Sequence, residues 1–147
     1  MSKMFQCLSV MAAIAIGFSQ TAEAGNLAAR GGKSDFPVSE PACWGVNGAT
    51  IWNKCSEGKY WYIALPNLWG SFWIAVTAQA ANNSSNVQCI STGSARDGTF
   101  HLQSGWFPLP QFGVSADINL LTTIPSGGTG MVDCYALQGG KVHTVSW

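Results

Sequence analysis

The sequence predicts an all-β fold, a single β-sandwich domain of seven or eight short antiparallel strands stapled by disulfides. After residue 41 the apolar runs are short, rich in β-branched and aromatic residues, and bounded by Gly, Pro, Asn or Ser. No stretch of eleven or more residues after residue 24 shows the 3.6-residue period of an amphipathic helix. Many short strands separated by turn residues fit two packed sheets better than a closed barrel.

Alternation of apolar and polar residues assigns the faces of these strands, because successive side chains of a strand point to opposite sides. The predicted strands are 50–54, 60–65, 72–80, 87–91, 99–103, 117–123, 131–137 and 142–147. The side chains expected to point inward are Phe72, Ile74, Val76, Ala78, Val87, Cys89, Phe100, Leu102, Val132, Cys134 and Ala136. Trp73 and His101 fall on the opposite, outward faces of their strands.

The chain divides into a predicted signal peptide (1–24), a flexible leader (25–41) and the β-sandwich domain (42–147). Lys3, an apolar stretch over 4–18 and the A-x-A motif ending at Ala24 form the three parts of a secretion signal. The apolar stretch is shorter than the ~20 residues of a membrane span, which favours a cleaved signal over an uncleaved anchor. We therefore expect a secreted or periplasmic protein with no membrane span after cleavage.

Four cysteines follow the predicted signal, and a secreted chain uses such cysteines in disulfides. Spacing alone leaves three pairings open. Because Cys89 and Cys134 both lie on inward strand faces, we favour a bridge between them across the core, with Cys43–Cys55 closing a short loop. The alternative is a zinc site, but the gaps of 11, 33 and 44 residues do not match the closely spaced cysteine pairs of structural zinc. The fifth cysteine, Cys7, lies inside the predicted signal.

The charge balance bears on the class of partner. After residue 24 the chain has four Lys and two Arg against four Asp and two Glu. Nucleic acid and anionic membrane surfaces both require a basic face, so neither is expected as a partner. The sequence does not identify the partner; a glycan or another extracellular protein fits this composition. No cofactor and no metal site is predicted.

No arrangement of residues predicts catalysis, and we expect a non-enzymatic protein with a structural role or a role in binding a ligand or partner, and with no catalytic residues. A G-x-S-x-G motif is absent, and neither His101 nor His143 has a carboxylate or cysteine at ligand spacing. Two carboxylates flanking one bond would suffice for a hydrolase. Asp117 and Asp133, which lie on predicted strands, are the candidates for that alternative.

The tryptophans give the strongest functional indication. All seven lie after residue 24, and Trp69, Trp73 and Trp106 fall on an outward face or in loops. Exposed rings on a rigid scaffold can stack on sugars or anchor a protein partner, so these three are the predicted binding residues. The alternative is that large rings serve only as packing. A third hypothesis is an inhibitor-like module that presents the loop 105–113.

The order of these features resembles a group of small secreted bacterial four-cysteine β-sandwich proteins of unknown function. The matching pieces are Cys43, Ile51-Trp52-Asn53-Lys54-Cys55, Ile63-Ala64-Leu65-Pro66, Val87-Gln88-Cys89 and Val132-Asp133-Cys134-Tyr135-Ala136-Leu137. Gln138 departs from the pattern, where a proline would follow the last Leu. The resemblance implies a disulfide-bonded β-sandwich and assigns no catalytic residue.

Overall fold

The computed structural model describes residues 24–34, 41–99 and 101–147, and within them every regular element apart from three 3-10 turns is a β-strand. The predicted signal peptide lies outside the described residues, except for Ala24. The strands are β1 (Asn26–Ala28), β2 (Lys33–Ser34), β3 (Trp44–Asn47), β4 (Thr50–Asn53), β5 (Lys59–Ala64), β6 (Gly70–Gln79), β7 (Val87–Ser94), β8 (His101–Gln103), β9 (Phe107–Pro108), β10 (Ser115–Ile124), β11 (Thr129–Ala136) and β12 (Lys141–Ser146). In these same ranges no helix is long and apolar enough to cross a membrane.

The strands form two antiparallel sheets that pack face to face. Sheet A has the order β10-β6-β12-β4-β3, with β1 also paired to β12. Sheet B has the order β2-β5-β11-β7-β8, with β9 paired to β7 beyond the end of β8. The predicted all-β sandwich is therefore confirmed.

Alternation along the strands builds the core between the sheets. The inward residues of β6 from Ile74 onward and those of β11 are buried, and Phe72 is partly buried, while their neighbours along each strand are more exposed. Two tryptophans also contribute to this core. Trp44 of sheet A and Trp61 of sheet B are both buried, with ring centroids 5.3 Å apart. These contacts put apolar side chains of both sheets in one continuous cluster.

All eight predicted strands are present, and the described residues also contain the strands β1, β2, β3 and β9, which were not predicted. Two of these lie in the predicted leader, where β1 pairs with β12 and β2 with β5, so this segment adds a strand to each sheet. The prediction that Leu102 points inward agrees with its register, because it lies opposite Gly93, whose Cα faces sheet A. Leu102 is nevertheless 38% exposed on the edge strand β8, so it is not part of the buried core. Phe100 lies outside the described residues.

The structure contains the Cys43–Cys55 and Cys89–Cys134 disulfides, which are the two pairs that the strand faces favour. Cys43 and Cys55 close the β3–β4 hairpin. Cys89 and Cys134 are directly opposite each other on the neighbouring strands β7 and β11, with Cα atoms 4.1 Å apart. The expectation of a bridge across the core is corrected in this respect: the bond lies on the inward face of sheet B and joins two strands of that sheet, not one sheet to the other.

The two sheets are in close backbone contact where β7 meets β10. A Cβ atom at Gly93 of β7 would overlap the backbone carbonyl of Thr123 on β10. Nearby, the buried hydroxyl of Thr122 donates a hydrogen bond to Ser91 Oγ, which also connects the sheets. Glycine is therefore required at position 93 by backbone packing rather than by a turn.

We expect Gly93→Ala to lower the free energy of unfolding by about 2 kcal/mol, because the added methyl group must push two sheets apart. Urea denaturation followed by far-ultraviolet circular dichroism measures the change. Gly31→Ala is the control, since a Cβ at Gly31 meets no atom within 4 Å. Equal urea midpoints for Gly93→Ala and the wild type would show that the sheets have room to separate there.

Candidate functional site

The structure separates the three tryptophans predicted to bind a ligand. Trp73 is 63% exposed on the outer face of sheet A, opposite the exposed Leu121 of β10. Trp106 is 43% exposed and lies between β8 and β9 at sheet B. Trp69 is exposed in the connection between β5 and β6. Because Trp73 and Trp106 belong to opposite faces of the sandwich, they cannot contact one small ligand together.

Trp106 is part of an aromatic cluster that the sequence analysis did not anticipate. The ring centroid of Trp106 lies 6.1 Å from that of Tyr60 on β5, and Tyr60 lies 4.8 Å from Tyr135 on β11. Tyr60 is directly opposite Tyr135 in the β5–β11 register. Both tyrosines alternate with buried residues, which places the rings on the outer face of sheet B. We call Tyr60, Trp106 and Tyr135 the aromatic cluster.

Backbone pairing at the edge of β7 positions Trp106. The N–H of Ser104 donates to Ser91 O at 3.0 Å, and the N–H of Ser91 donates to Ser104 Oγ at 3.0 Å. Gly105 follows with a φ of 87°, which favours glycine and turns the chain. β9 then pairs with β7, Phe107 opposite Cys89, so Trp106 continues this register beside Ile90 on the outer face.

A glycine, Gly58, also contacts the Tyr135 ring of the cluster. A Cβ at Gly58 would overlap the phenol of Tyr135, so this ring lies directly against the Gly58 backbone. Neither aromatic pair is stacked face to face, since the rings are inclined by 61° and 49°. The inclined arrangement leaves ring surface uncovered, and Tyr60 is 40% exposed.

Polar side chains surround the cluster on the same face. Gln88 of β7 is opposite Tyr135, and Asp133 of β11 is opposite Tyr62 of β5. An amide, a carboxylate and phenol hydroxyls therefore lie next to exposed ring surface. This combination can bind a ligand that has both apolar and hydroxyl-bearing sides.

The two strand carboxylates proposed for a hydrolase do not meet. Asp117 lies on the outer face of sheet A, where its Oδ1 accepts a hydrogen bond from Thr77 at 2.7 Å. Asp133 lies on the outer face of sheet B. Packed sheets are about 10 Å apart, and these side chains point away from each other, so the pair cannot flank one glycosidic bond.

The remaining candidate ligands for a metal are also scattered. His101 has its Nδ1 atom 2.8 Å from Ser94 Oγ, and His143 has its Nδ1 atom 2.7 Å from Thr50 Oγ1. Within residues 24–34, 41–99 and 101–147, no three His, Cys, Asp or Glu side chains come together as a metal site would require.

The comparisons with known proteins give distant structural neighbours. No family model and no curated protein matches the chain. The enzymatically active domain of tailspike protein 4 of bacteriophage CBA120 is similar at 10% identity and a TM-score of 0.46, over 64% of this chain. This chain spans 14% of that phage protein. A carbohydrate-binding module, CBM4, is similar at 11% identity and a TM-score of 0.36, over 84% of this chain and 81% of the module. Neither similarity indicates which residues of this chain bind a ligand.

Proposed function

We propose that the protein is a secreted, non-enzymatic β-domain that binds carbohydrate at the aromatic cluster of sheet B. The observation that carries this proposal is the contact of three partly exposed rings, Tyr60 touching both Trp106 and Tyr135, on one face of a rigid sheet. The apolar face of a sugar ring stacks on such rings, and its hydroxyl groups require polar neighbours such as Gln88. Two disulfides in the domain agree with an oxidising compartment.

The cluster is also preorganised, which lowers the entropic cost of binding. Tyr60 and Tyr135 stand on central, paired strands, and backbone hydrogen bonds to β7 hold the segment that carries Trp106. Ligand binding therefore needs no ordering of a loop and little loss of side-chain freedom.

We expect Trp106→Ala to weaken the binding of a neutral glycan at least tenfold, a loss of ~1.4 kcal/mol or more. The tryptophan supplies the largest exposed ring surface of the cluster, and its removal also takes away one of the two ring neighbours of Tyr60. The ligand is first found on an array of neutral β-glucan, xylan, mannan and chitin oligosaccharides. Isothermal titration calorimetry then gives the dissociation constants.

Trp73→Ala is the matched control, because Trp73 is a more exposed tryptophan on the opposite face. It should leave the affinity unchanged, and both variants should retain the wild-type melting temperature within a few degrees. An unchanged affinity of Trp106→Ala, or an equal loss in both variants, would contradict a site at the cluster.

A second candidate function is the capture of a protein partner by the segment 105–114. The N–H of Leu109 donates to Val87 O and the N–H of Gly113 donates to Ala80 O, each at 2.8 Å, so the domain holds the segment at two further points. Between and beside these anchors, Phe107, Phe112 and Val114 are exposed. Phe112→Ala separates the candidates, because it should abolish capture of a protein partner and leave glycan binding intact.

A further inference from the structure

A concave site lies on the outer face of sheet A, on the opposite side of the sandwich from the aromatic cluster. It is a cavity of about 420 Å³ lined by Asn47, Thr50, Trp52, Lys141 and His143. These residues alternate with the fully buried Ile51 and Val142 along β4 and β12. Its volume falls within the range of small-molecule sites. We call this cavity the Trp52 pocket.

A glycine lets the indole ring of Trp52 lie flat on the sheet. Gly45 of β3 is directly opposite Trp52 of β4, and a Cβ at Gly45 would overlap the six-membered ring of the indole. One face of the ring therefore rests on the Gly45 backbone. The ring also lines the cavity, so it forms an aromatic floor of the kind on which a pyranose ring stacks.

Hydrogen-bonding groups converge beside this floor. Thr50 Oγ1 is 2.7 Å from His143 Nδ1, and the Nε2 atom of His143 is 3.4 Å from Ser115 Oγ on β10. The register of β12 shifts between Val142 and Thr144, and His143 is the residue at this irregularity. Asn47 adds an exposed amide at the rim. These groups are suited to sugar hydroxyls, because they include donors and acceptors.

The charge of the pocket is positive. Lys141 is directly opposite Trp52, and no carboxylate is among the described residues that line the cavity. Burial, and secondly the neighbouring Lys141, lowers the pKa of His143, so its imidazole is neutral at pH 7 and the ammonium group is the charge present. The ammonium group of Lys141 favours an anionic ligand, to which it gives a charge-assisted hydrogen bond.

We propose that the Trp52 pocket binds a hexuronate residue of an acidic polysaccharide, with the sugar ring on Trp52 and the carboxylate on Lys141. An aromatic floor alone would accept a neutral sugar, and an ammonium alone would accept any carboxylate. The juxtaposition of the two across one strand pair selects the ligand that has both. This site goes beyond the proposed function, because it is on the other sheet and shares no residue with the aromatic cluster.

The test is calorimetric titration of the full chain at pH 7 with trisaccharides of galacturonate, glucuronate and mannuronate. At least one should bind, and its fully methyl-esterified form should bind at least tenfold more weakly. Lys141→Met should weaken binding at least tenfold, whereas Arg96→Met, which removes an exposed cation in the β7–β8 turn, should not. Trp52→Leu should also weaken binding, and Trp52→Phe should restore part of it.

Three results would overturn the proposal: no binding of any of the three trisaccharides, equal binding of the methyl ester, or binding of acetate as tight as that of the uronate. Thermal unfolding of each variant shows whether the fold is intact. If Trp52→Leu does not fold, the methyl ester and Lys141→Met still decide the outcome. Trp106→Ala should bind the uronate like the wild type. A loss of uronate binding at the Trp52 pocket is thereby distinguished from a loss of neutral-glycan binding at the aromatic cluster.

Discussion

Replacing Cys89 and Cys134 together by alanine is expected to lower the free energy of unfolding by about 4 kcal/mol, the largest effect of any change considered. The two cysteines are 45 residues apart in sequence, so the bond closes a long loop in the unfolded chain. Loss of that constraint costs about 4 kcal/mol in the chain-entropy treatment. Guanidinium denaturation measures the change, and the melting temperature should fall on the order of 15 °C.

The double variant Cys43→Ala/Cys55→Ala is the comparison. This bond spans only 12 residues, so its removal should cost less, about 3 kcal/mol. The order of the two losses in the free energy of unfolding tests the loop-length explanation more strictly than either value does. If the hairpin pair proved the more costly to remove, loop length would not explain the stabilisation, and local packing of Cys43 and Cys55 would.

Asn53→Leu is expected to lower the free energy of unfolding by about 3 kcal/mol, because it removes the side-chain partner of three backbone groups in one buried and two partly buried hydrogen bonds. Asn53 is fully buried in β4. Its Nδ2 group donates to Glu57 O at 2.6 Å and to Ala136 O at 2.9 Å, and its Oδ1 accepts from the N–H of Cys55 at 2.9 Å. The bond to Ala136 joins sheet A to the β11 strand of sheet B.

Asn119→Leu on the exposed face of β10 is the control for this substitution, and it should change stability by less than about 0.5 kcal/mol. Both variants are compared by urea denaturation at pH 7. Similar stabilities of Asn53→Leu and the wild type would mean that leucine packing compensates for the lost hydrogen bonds, and that Asn53 does not hold the sheets together.

Most of the fold could be predicted from the sequence, because a two-residue period reports directly on burial. The structure buries the inward set of β6 and β11 except Phe72, which is only partly buried. The period is least informative where a strand is very short or lies at the edge of a sheet. β1 and β2 have only three and two residues and lie in a segment with no apolar alternation, and Leu102 is 38% exposed on the edge strand β8.

Register was the information that the sequence did not contain. Two inward cysteines predict a bond, but only pairing shows that Cys89 and Cys134 are direct neighbours on adjacent strands. The same limit applies to function. Tyr60 alternates with the buried Trp61, which marks it as outward, but nothing in the sequence places it between Tyr135 and Trp106.

The Trp52 pocket on sheet A likewise depends on strand pairing that the sequence does not contain. Trp52 has no sequence feature that distinguishes it from a packing tryptophan. Its role follows from the residues opposite it, Gly45 on one side and Lys141 on the other, which come from distant parts of the chain. A glycine opposite a tryptophan on the neighbouring strand can indicate an indole ring that lies against the sheet, but only after the strand pairing is known.

The most direct test of carbohydrate binding at the aromatic cluster is a titration of ¹⁵N-tryptophan-labelled protein with the neutral glycan found on the array. The seven indole N–H signals are observed separately, and the variants Trp106→Phe, Trp73→Phe and Trp69→Phe assign the three signals that the test compares. The account predicts a saturable shift of the Trp106 signal with no shift of the Trp73 signal. A saturable shift of Trp73 or Trp69 while Trp106 stays in place would contradict it.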